Sequence, residues 1–468
     1  MKNKITNSKE KFKVLFVYPN LMLQTTFPLA ISILSALLKQ NGYDVDIFDT
    51  TFYKTEEIAS DEYRVKNLQI AKFTLGPEFR NLKDKKQMFI DFTTKIQEYK
   101  PNLIAFSVLE DLYPLALELI NISSRFKIPT IVGGLFPTFA PEKVIANEGI
   151  DIICIGDGEE AILELCDSLS SGSDYTRILN LWVKKEGEVF KNPIRAPRDI
   201  NLNPPPDFLL FDERRFYRPM KGRVYRMGLV ETNRGCVYTC SYCNSYGQTK
   251  IYKERIGKKY FRIKDIGIIH DEIKILVEKY KVEFIYFTAE VLLLMNKNYM
   301  KDFVRMYKKF NLPFFCQNRA EVINEETANC LVEMNCHSCS LGIEHGNEEF
   351  RAKVLNRKVS NQTYLDAVRC LQKTNITISV NNIVGFPDET RELVFDSISL
   401  NRKFKVFQIN AYYFTPYHGT ELRKYCLEKG YIKEDTQTSY ITKDTILNMP
   451  TLSAEEIRGL VRTFTLYA

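Results

Sequence analysis

No stretch of this 468-residue chain reaches the roughly eighteen consecutive apolar residues of a membrane-spanning helix. The opening MKNKITNSKEKFK is polar and has no apolar h-region, so neither a membrane span nor a signal peptide is expected and the chain reads as cytoplasmic. Histidine is scarce: His270, His337, His345 and His418 are the only four. The loop after the first expected strand reads YPNLMLQ and carries no G-x-G-x-x-G, which disfavours a Rossmann nucleotide site. Strong charge of one sign is also missing. The net charge of +7 is modest and spread along the chain, so no nucleic-acid partner is expected, and the densest basic run, Lys250 to Lys264, reads as a solvated face. The 11 cysteines are odd in number and scattered, unlike a secreted disulfide framework. What remains is ordinary globular material, 45% apolar, at a length that predicts two or three domains.

One stretch stands apart. Glu231 to Gly247 reads ETNRGCVYTCSYCNSYG and sets Cys236, Cys240 and Cys243 at spacings of four and three. Thiolates are soft ligands for iron-sulfur clusters or zinc. Three of them leave a four-iron cluster one ligand short, and an open metal position can take a small molecule. Zinc would need a fourth ligand close by, yet the nearest histidine is His270. The same spacing would also suit one face of a helix, with the cysteines in the core. Against that, Gly235, Ser241, Asn244, Ser245 and Gly247 read as loop. The C-x3-C-x2-C pattern, with Tyr242 before the last cysteine, resembles the radical S-adenosylmethionine (SAM) superfamily. The resemblance implies a 4Fe-4S cluster whose fourth iron chelates SAM, and reductive cleavage of SAM to a 5'-deoxyadenosyl radical.

Before this stretch, residues 1–175 alternate short apolar runs with helical ones. Lys13 to Tyr18, Asp44 to Phe48, Asn102 to Val108, Thr130 to Val132 and Asp151 to Ile155 read as buried parallel strands, separated by amphipathic segments such as Leu29 to Gln40. That predicts an α/β, doubly wound, Rossmann-like sheet, with ligands bound by loops at the carboxyl ends of its strands. FPLAISILSALLKQNGYDVDIFDT, IVGGLFPTFAPE and IDIICIGDGEEAILEL resemble the cobalamin-binding domain that often precedes a radical SAM domain. The resemblance implies cobalamin contacts at Asn20, Leu21, Ser107, Val108, Gly133, Gly134, Gly156, Gly158 and Glu159. For either Gly133 or Gly134 alone, a tight turn after a strand explains the glycine as well. No histidine of this domain can ligate cobalt, which fits a cofactor bound without one and equally a domain that has lost cobalamin.

Residues 176–224 form a connector, a hairpin turning at Glu186 and Gly187 followed by the stiff DINLNPPPDF. Six further apolar runs follow within residues 225–430: Met227 to Val230, Phe284 to Phe287, Pro313 to Cys316, Ser338 to Ile343, Ile378 to Val384 and Phe407 to Phe414. They predict a partial (β/α)6 barrel with its chemistry at the carboxyl strand ends. By the resemblance, Tyr242, Glu290, Arg319, Glu344 and Gly385 contact SAM, Arg319 through its carboxylate. Arg319 and Glu344 each read also as a member of a structural ion pair, with each other or with another residue, Arg319 more so than Glu344. Two departures concern histidine: His345 replaces serine in LGIEHGN and His418 replaces proline in YYFTPYHGTEL. Each reads as a general base or, more simply, as a satisfied surface histidine. Cys336 and Cys339 lack the spacing for a second site and read as core. Ser453 with Glu455 and Glu456 starts a helix in residues 431–468.

The resemblance implies an enzyme that methylates an unactivated carbon of a small-molecule biosynthetic intermediate, using a 5'-deoxyadenosyl radical and methylcobalamin, with an external electron donor such as flavodoxin or ferredoxin. A cyclase or rearrangement enzyme keeps the radical and changes the outcome. A cluster-bearing sensor or electron carrier leaves the other strand-end motifs unexplained.

Overall fold

The computed structural model describes residues 11–438 and 444–468. The start of the polar opening segment, residues 1–10, lies outside them, and no described helix is long and apolar enough to cross a membrane. The first half builds a seven-stranded sheet from β1 (Lys13–Tyr18), β2 (Asp44–Asp49), β3 (Leu103–Ser107), β4 (Thr130–Gly133), β5 (Ile152–Cys154), β6 (Leu181–Lys185) and β7 (Glu188–Lys191), in the order β2-β1-β3-β4-β5-β6-β7. The first five strands are parallel. Their Val, Ile and Leu side chains, Ile47 on the edge strand excepted, are buried on both faces, as helices on either side of a parallel sheet require. The hairpin of the connector forms where expected. It pairs antiparallel to β5 and so extends this sheet rather than only linking domains.

The second half is a curled half-barrel of β8 (Tyr217–Met220), β9 (Arg223–Val230), β10 (Phe284–Phe287), β11 (Phe314–Asn318), β12 (Cys336–Glu344), β13 (Thr377–Val384) and β14 (Gln408–Tyr413), hydrogen-bonded in chain order. β8 and β9 form an antiparallel hairpin, and the six strands from β9 onward are parallel. The six apolar runs read from the sequence are these six strands. β13, TISVNNIV, alternates half-buried and fully buried residues: Ile378, Val380 and Val384 face the outer helices, while Thr377, Ser379 and Asn381 face the lumen. The barrel interior is therefore polar where the central parallel strands of the first sheet, β1, β3, β4 and β5, are mainly apolar.

A helix, Ala454–Tyr467, opens at Ser453 with a capping box to Glu456, as the sequence predicts, and buries Ile457, Leu460, Val461 and Phe464 against the last barrel strands. The connector is pinned from the other side. Arg215, fully buried, pairs with Asp49 at the end of β2 through Nε–Oδ2 at 2.6 Å and Nη2–Oδ1 at 2.8 Å.

Candidate active site

β9 delivers the chain to the cysteine loop. Gly235 takes a left-handed φ of +86°, and a Cβ there would stand 2.8 Å from the Tyr260 ring, so only glycine lets the loop start at this angle. Cys236 to Cys243 is loop, as expected. Asn244, Ser245 and Gly247, however, belong to a helix, Asn244–Ile256, with Cys243 as its N-cap. Gly247 is required there for packing, since a Cβ would meet the Gly419 carbonyl oxygen at 2.9 Å and Phe139 at 2.9 Å. Ser241 ties the loop down: its hydroxyl donates to the Val354 carbonyl at 2.6 Å and its amide to that of Leu355 at 3.2 Å.

Burial pushes the Cys236 thiol up, and pushes Cys243 up to about 12 with Glu290 adding to the effect; the three thiols lie near enough to perturb one another. Metal ligation would expel these protons. Among the described residues no three or more His, Cys, Asp or Glu converge on one point to hold a single ion. Thiolates of a 4Fe-4S cluster each take a different iron and need not converge on one point, so this donor set fits a three-cysteine cluster. Arg319 Nη1 lies 3.2 Å from Cys240 Sγ, which sets a cation beside that sulfur.

The strand ends around the loop carry the other expected residues. Glu290, after β10, accepts from Ser245 Oγ at 2.5 Å at the start of the cysteine-loop helix. Arg319, after β11, stacks 3.8 Å over Tyr238 and turns Nε and Nη2 to Glu321 at 2.9 and 2.5 Å. Its carboxylate-binding edge is thus engaged by Glu321, and it makes no pair with Glu344. Glu344 ends β12 beside a register shift, with φ +66°, a conformation rare for a side-chain-bearing residue, and Arg357 Nη1 holds it at 3.2 Å. The same guanidinium reaches Tyr242 Oη at 3.2 Å. Burial raises the Glu344 carboxyl against the pull of Arg357. Gly385, after β13 with φ +90°, donates to Glu389 Oε2 at 2.5 Å, and Phe386 donates to the same oxygen at 3.1 Å.

Neither histidine at these strand ends is a surface group. His345 is fully buried, stacks on Phe350 at 4.4 Å, accepts from Asn347 N at 3.0 Å, and has Nε2 3.0 Å from Glu389 Oε1. It links the loops after β12 and β13. His418 reaches into the first domain: its amide and Nδ1 contact the two Glu110 carboxylate oxygens at 2.8 and 2.7 Å, and its ring packs on Phe136.

A cavity of about 370 Å³ separates the carboxyl end of the first sheet from the barrel. Ser107, Gly133, Gly134, Gly156, Gly158 and Glu159 line it from one side, and Glu231, Arg234, Thr288 and Glu290 from the other. Gly134 at φ +112° could not carry a Cβ, which would fall 2.5 Å from the Val108 carbonyl oxygen, so this turn needs glycine to pack on the Val108 backbone at the cavity wall. The donor set and the cradle fit a large cofactor held without histidine. Val108 contributes backbone to this turn while its side chain is fully buried. Asn20 and Leu21 stand away from the cavity. The Asn20 amide is consumed by the Gln24 carbonyl at 2.8 Å and Thr51 Oγ1 at 2.7 Å, and Leu21 is buried.

Sequence reasoning missed the seam. Arg234 pairs with Glu159 at 2.7 Å across the domains and with Glu231 at 2.8 Å, and Arg262 pairs with Asp157 at 2.6 Å. Lys250 pairs with Glu421, and Lys264 is buried against Glu272 at 2.8 Å. In the basic run from Lys250 to Lys264, Lys250, Arg262 and Lys264 are taken up in ion pairs, while Lys253, Arg255, Lys258 and Lys259 are exposed, as on a solvated face. Glu421 and Asp157 lie far away in the chain, so composition alone carried no signal for those two pairs, whereas Glu272 is eight residues from Lys264. Cys316 on β11 and Cys336 and Cys339 on β12 are buried, as core cysteines are, and none of the 11 cysteines is bonded to another.

A mostly parallel sheet with an open ligand end, joined to a half-barrel with a three-cysteine loop, defines a two-domain cofactor enzyme architecture. Residues 22–166 match the B12 binding domain and residues 230–400 the radical SAM superfamily, so the chain carries a B12-binding domain followed by a radical SAM domain. It is 27% identical over 381 residues to an uncharacterized methyltransferase of Pyrococcus horikoshii, covering 80% of each chain. It is 23% identical over 359 residues to the anaerobic magnesium-protoporphyrin IX monomethyl ester cyclase of Rubrivivax gelatinosus, covering 74% of this chain and 62% of that one. The fold is that of the radical S-adenosylmethionine methyltransferase TsrM from Kitasatospora setae, solved with cobalamin and a 4Fe-4S cluster, at a TM-score of 0.67 and 18% identity over 90% of this chain and 78% of that one.

Proposed function

We propose that this protein is a cobalamin-dependent radical SAM enzyme that methylates an unactivated carbon of a small-molecule biosynthetic intermediate. The observation that carries the reading is the shared cavity: the glycine-lined loops of the B12-binding domain and the strand ends flanking the cysteine loop open onto the same space. In this reading Cys236, Cys240 and Cys243 hold the cluster, and Tyr242, Glu290, Arg319, Glu344 and Gly385 surround bound SAM. Ser107, Gly133, Gly134, Gly156, Gly158 and Glu159 cradle cobalamin, with Asn20, Leu21 and Val108 shaping the loops behind them. When bound, these groups supply a carbon radical and a transferable methyl group. The chain's share is geometry and exclusion of water. Arg319 keeps a positive charge beside Cys240, Arg357 fixes Glu344 and Tyr242 together, and Glu389 holds the turn at Gly385. Reduction requires an external donor of the flavodoxin or ferredoxin type and reducing surroundings, in keeping with eleven free thiols.

The test is the fate of SAM. With its substrate, the enzyme is expected to form 5'-deoxyadenosine and S-adenosylhomocysteine in comparable amounts, with a methyl label from SAM appearing in the product. The likeness to a cyclase supports a second reading, cyclisation or rearrangement. Deoxyadenosine without matching S-adenosylhomocysteine, and a product of unchanged carbon count, would select that one.

A further inference from the structure

A second cavity, of about 420 Å³, occupies the half-barrel lumen toward the amino ends of the strands, apart from the loops that flank the cysteines. Its floor is made of neutral hydrogen-bonding side chains from three strands. Gln408 Nε2 donates to Asn410 Oδ1 at 2.7 Å, Asn410 Nδ2 to Asn381 Oδ1 at 2.9 Å, and Asn381 Nδ2 to Ser340 Oγ at 3.0 Å. This row spends some of its hydrogen-bonding capacity on itself and keeps each amide in one orientation, with further capacity turned to the cavity. The open side of the half-barrel is closed by the first domain. Thr25 Oγ1 donates to the Tyr217 carbonyl at 3.3 Å, Gln69 Nε2 to that of Ala411 at 3.0 Å, and Arg64 Nη2 to Tyr412 Oη at 3.0 Å. The chamber is thus complete only when both domains are present.

Its charged lining is lopsided: Arg64, Arg218 and Lys221 face one acid, Asp61. Asp61 is taken up by Arg64 Nη1 at 3.3 Å, and Arg64 Nε is buried with no hydrogen-bond partner among the described residues. Arg218 is less satisfied still. Its guanidinium lies 4.6 Å over the Tyr286 ring, its Nη1 is buried without a hydrogen-bond partner, and among the described residues it has no ion pair. A buried donor left unmade is costly, and a guanidinium stacked on an aromatic face presents a flat edge suited to two oxygens. We infer that this chamber binds the oxyanion of the substrate, a carboxylate or a phosphate, on Arg218 with Arg64 beside it, while the amide and hydroxyl floor receives a polar body. The inference rests on the proposed radical SAM activity for the word substrate, but the anion site itself does not.

Equilibrium dialysis of the full chain, reconstituted with its cluster and cobalamin, against inorganic phosphate and against succinate reads the site directly. Saturable binding at one site per chain is expected for phosphate or succinate, and the preferred probe tells which oxyanion the substrate bears. Arg218→Ala should weaken that binding at least tenfold, Arg218→Lys should recover part of it, and Arg64→Gln should weaken it less. Retained visible absorbance of the cluster checks that each variant is folded. Failure of the wild type to bind either probe, or equal binding by wild type and Arg218→Ala, overturns the inference. Uncoupled cleavage of SAM, followed in the same preparations, separates the two readings: its absence would sink the radical chemistry while an Arg218-dependent anion site would stand.

Discussion

Glu344 shows how much local structure is given up to place one side chain. A non-glycine residue at φ +66° costs on the order of 1 kcal/mol or more, and it persists because Arg357, itself buried, grips the carboxylate. Gly134 illustrates the opposite solution, a position from which the side chain has been removed. Gly134→Ala should cost roughly 1–3 kcal/mol in backbone strain, with a clash on Val108 added, and should weaken cobalamin retention on gel filtration. Unchanged retention would show that this turn does not face the cofactor. For the cluster, changing Cys236, Cys240 and Cys243 together to alanine should abolish the broad absorbance of the reconstituted protein and all SAM cleavage. The pair Cys336 and Cys339, buried in the core, should leave both intact. Zinc without iron in the reconstituted wild type would refute the assignment.

At the scale of elements, the loops after β12 and β13 behave as one unit because Glu389 accepts from two backbone amides and lies against His345. Glu389→Ala leaves two buried N–H groups without an acceptor, about 1–3 kcal/mol for each. It is expected to lower the urea midpoint markedly, whereas Glu389→Gln keeps an oxygen for those amides and should lose less. Equal losses would mean that the carboxylate charge, and not its hydrogen bonds, holds the turn. The histidines at these ends read as surface groups in the sequence because the residues that enclose them, Glu389, Phe350, Glu110 and Phe136, come from other elements. The strands themselves were legible: β1 and β10 begin and end where their apolar runs do. The cysteine loop was legible too, up to Cys243. Asn244, Ser245 and Gly247 misled because small polar residues favour turns by local chemistry, while here a helix starts on the N-cap at Cys243 and needs Gly247 to pass Phe139.

Across the whole molecule, the two domains are joined by buried charge. Burial alone would raise the Glu159 carboxyl, but Arg234 outweighs it and holds the group below its ordinary value of 4.5. A carboxylate lowered in the folded state stabilises fully above its unfolded value, and that contribution is lost as pH falls through the lowered folded one. The seam should therefore resist proteolysis at neutral pH and loosen below about pH 4.5, where the connector becomes the first site of cleavage. Arg234→Ala, which strands Glu159 without its partner, should cost about 3–5 kcal/mol and bring that sensitivity to neutral pH. Cleavage that begins inside either sheet would place the weak point elsewhere.

The sequence by itself determined the periodicity of both sheets, the cysteine spacing and the turn glycines, because those depend on neighbours within a few residues of one another. Only the tertiary structure decided which charges meet. Arg234 and Arg262 met Glu159 and Asp157 across the seam, Arg319 turned to Glu321 and Cys240, Glu344 took Arg357, and Arg218 was left over Tyr286 with no counter-ion among the described residues. Such pairings are set by contacts between distant strand ends, where a charge finds a partner only after the chain has packed, and no local pattern records the outcome.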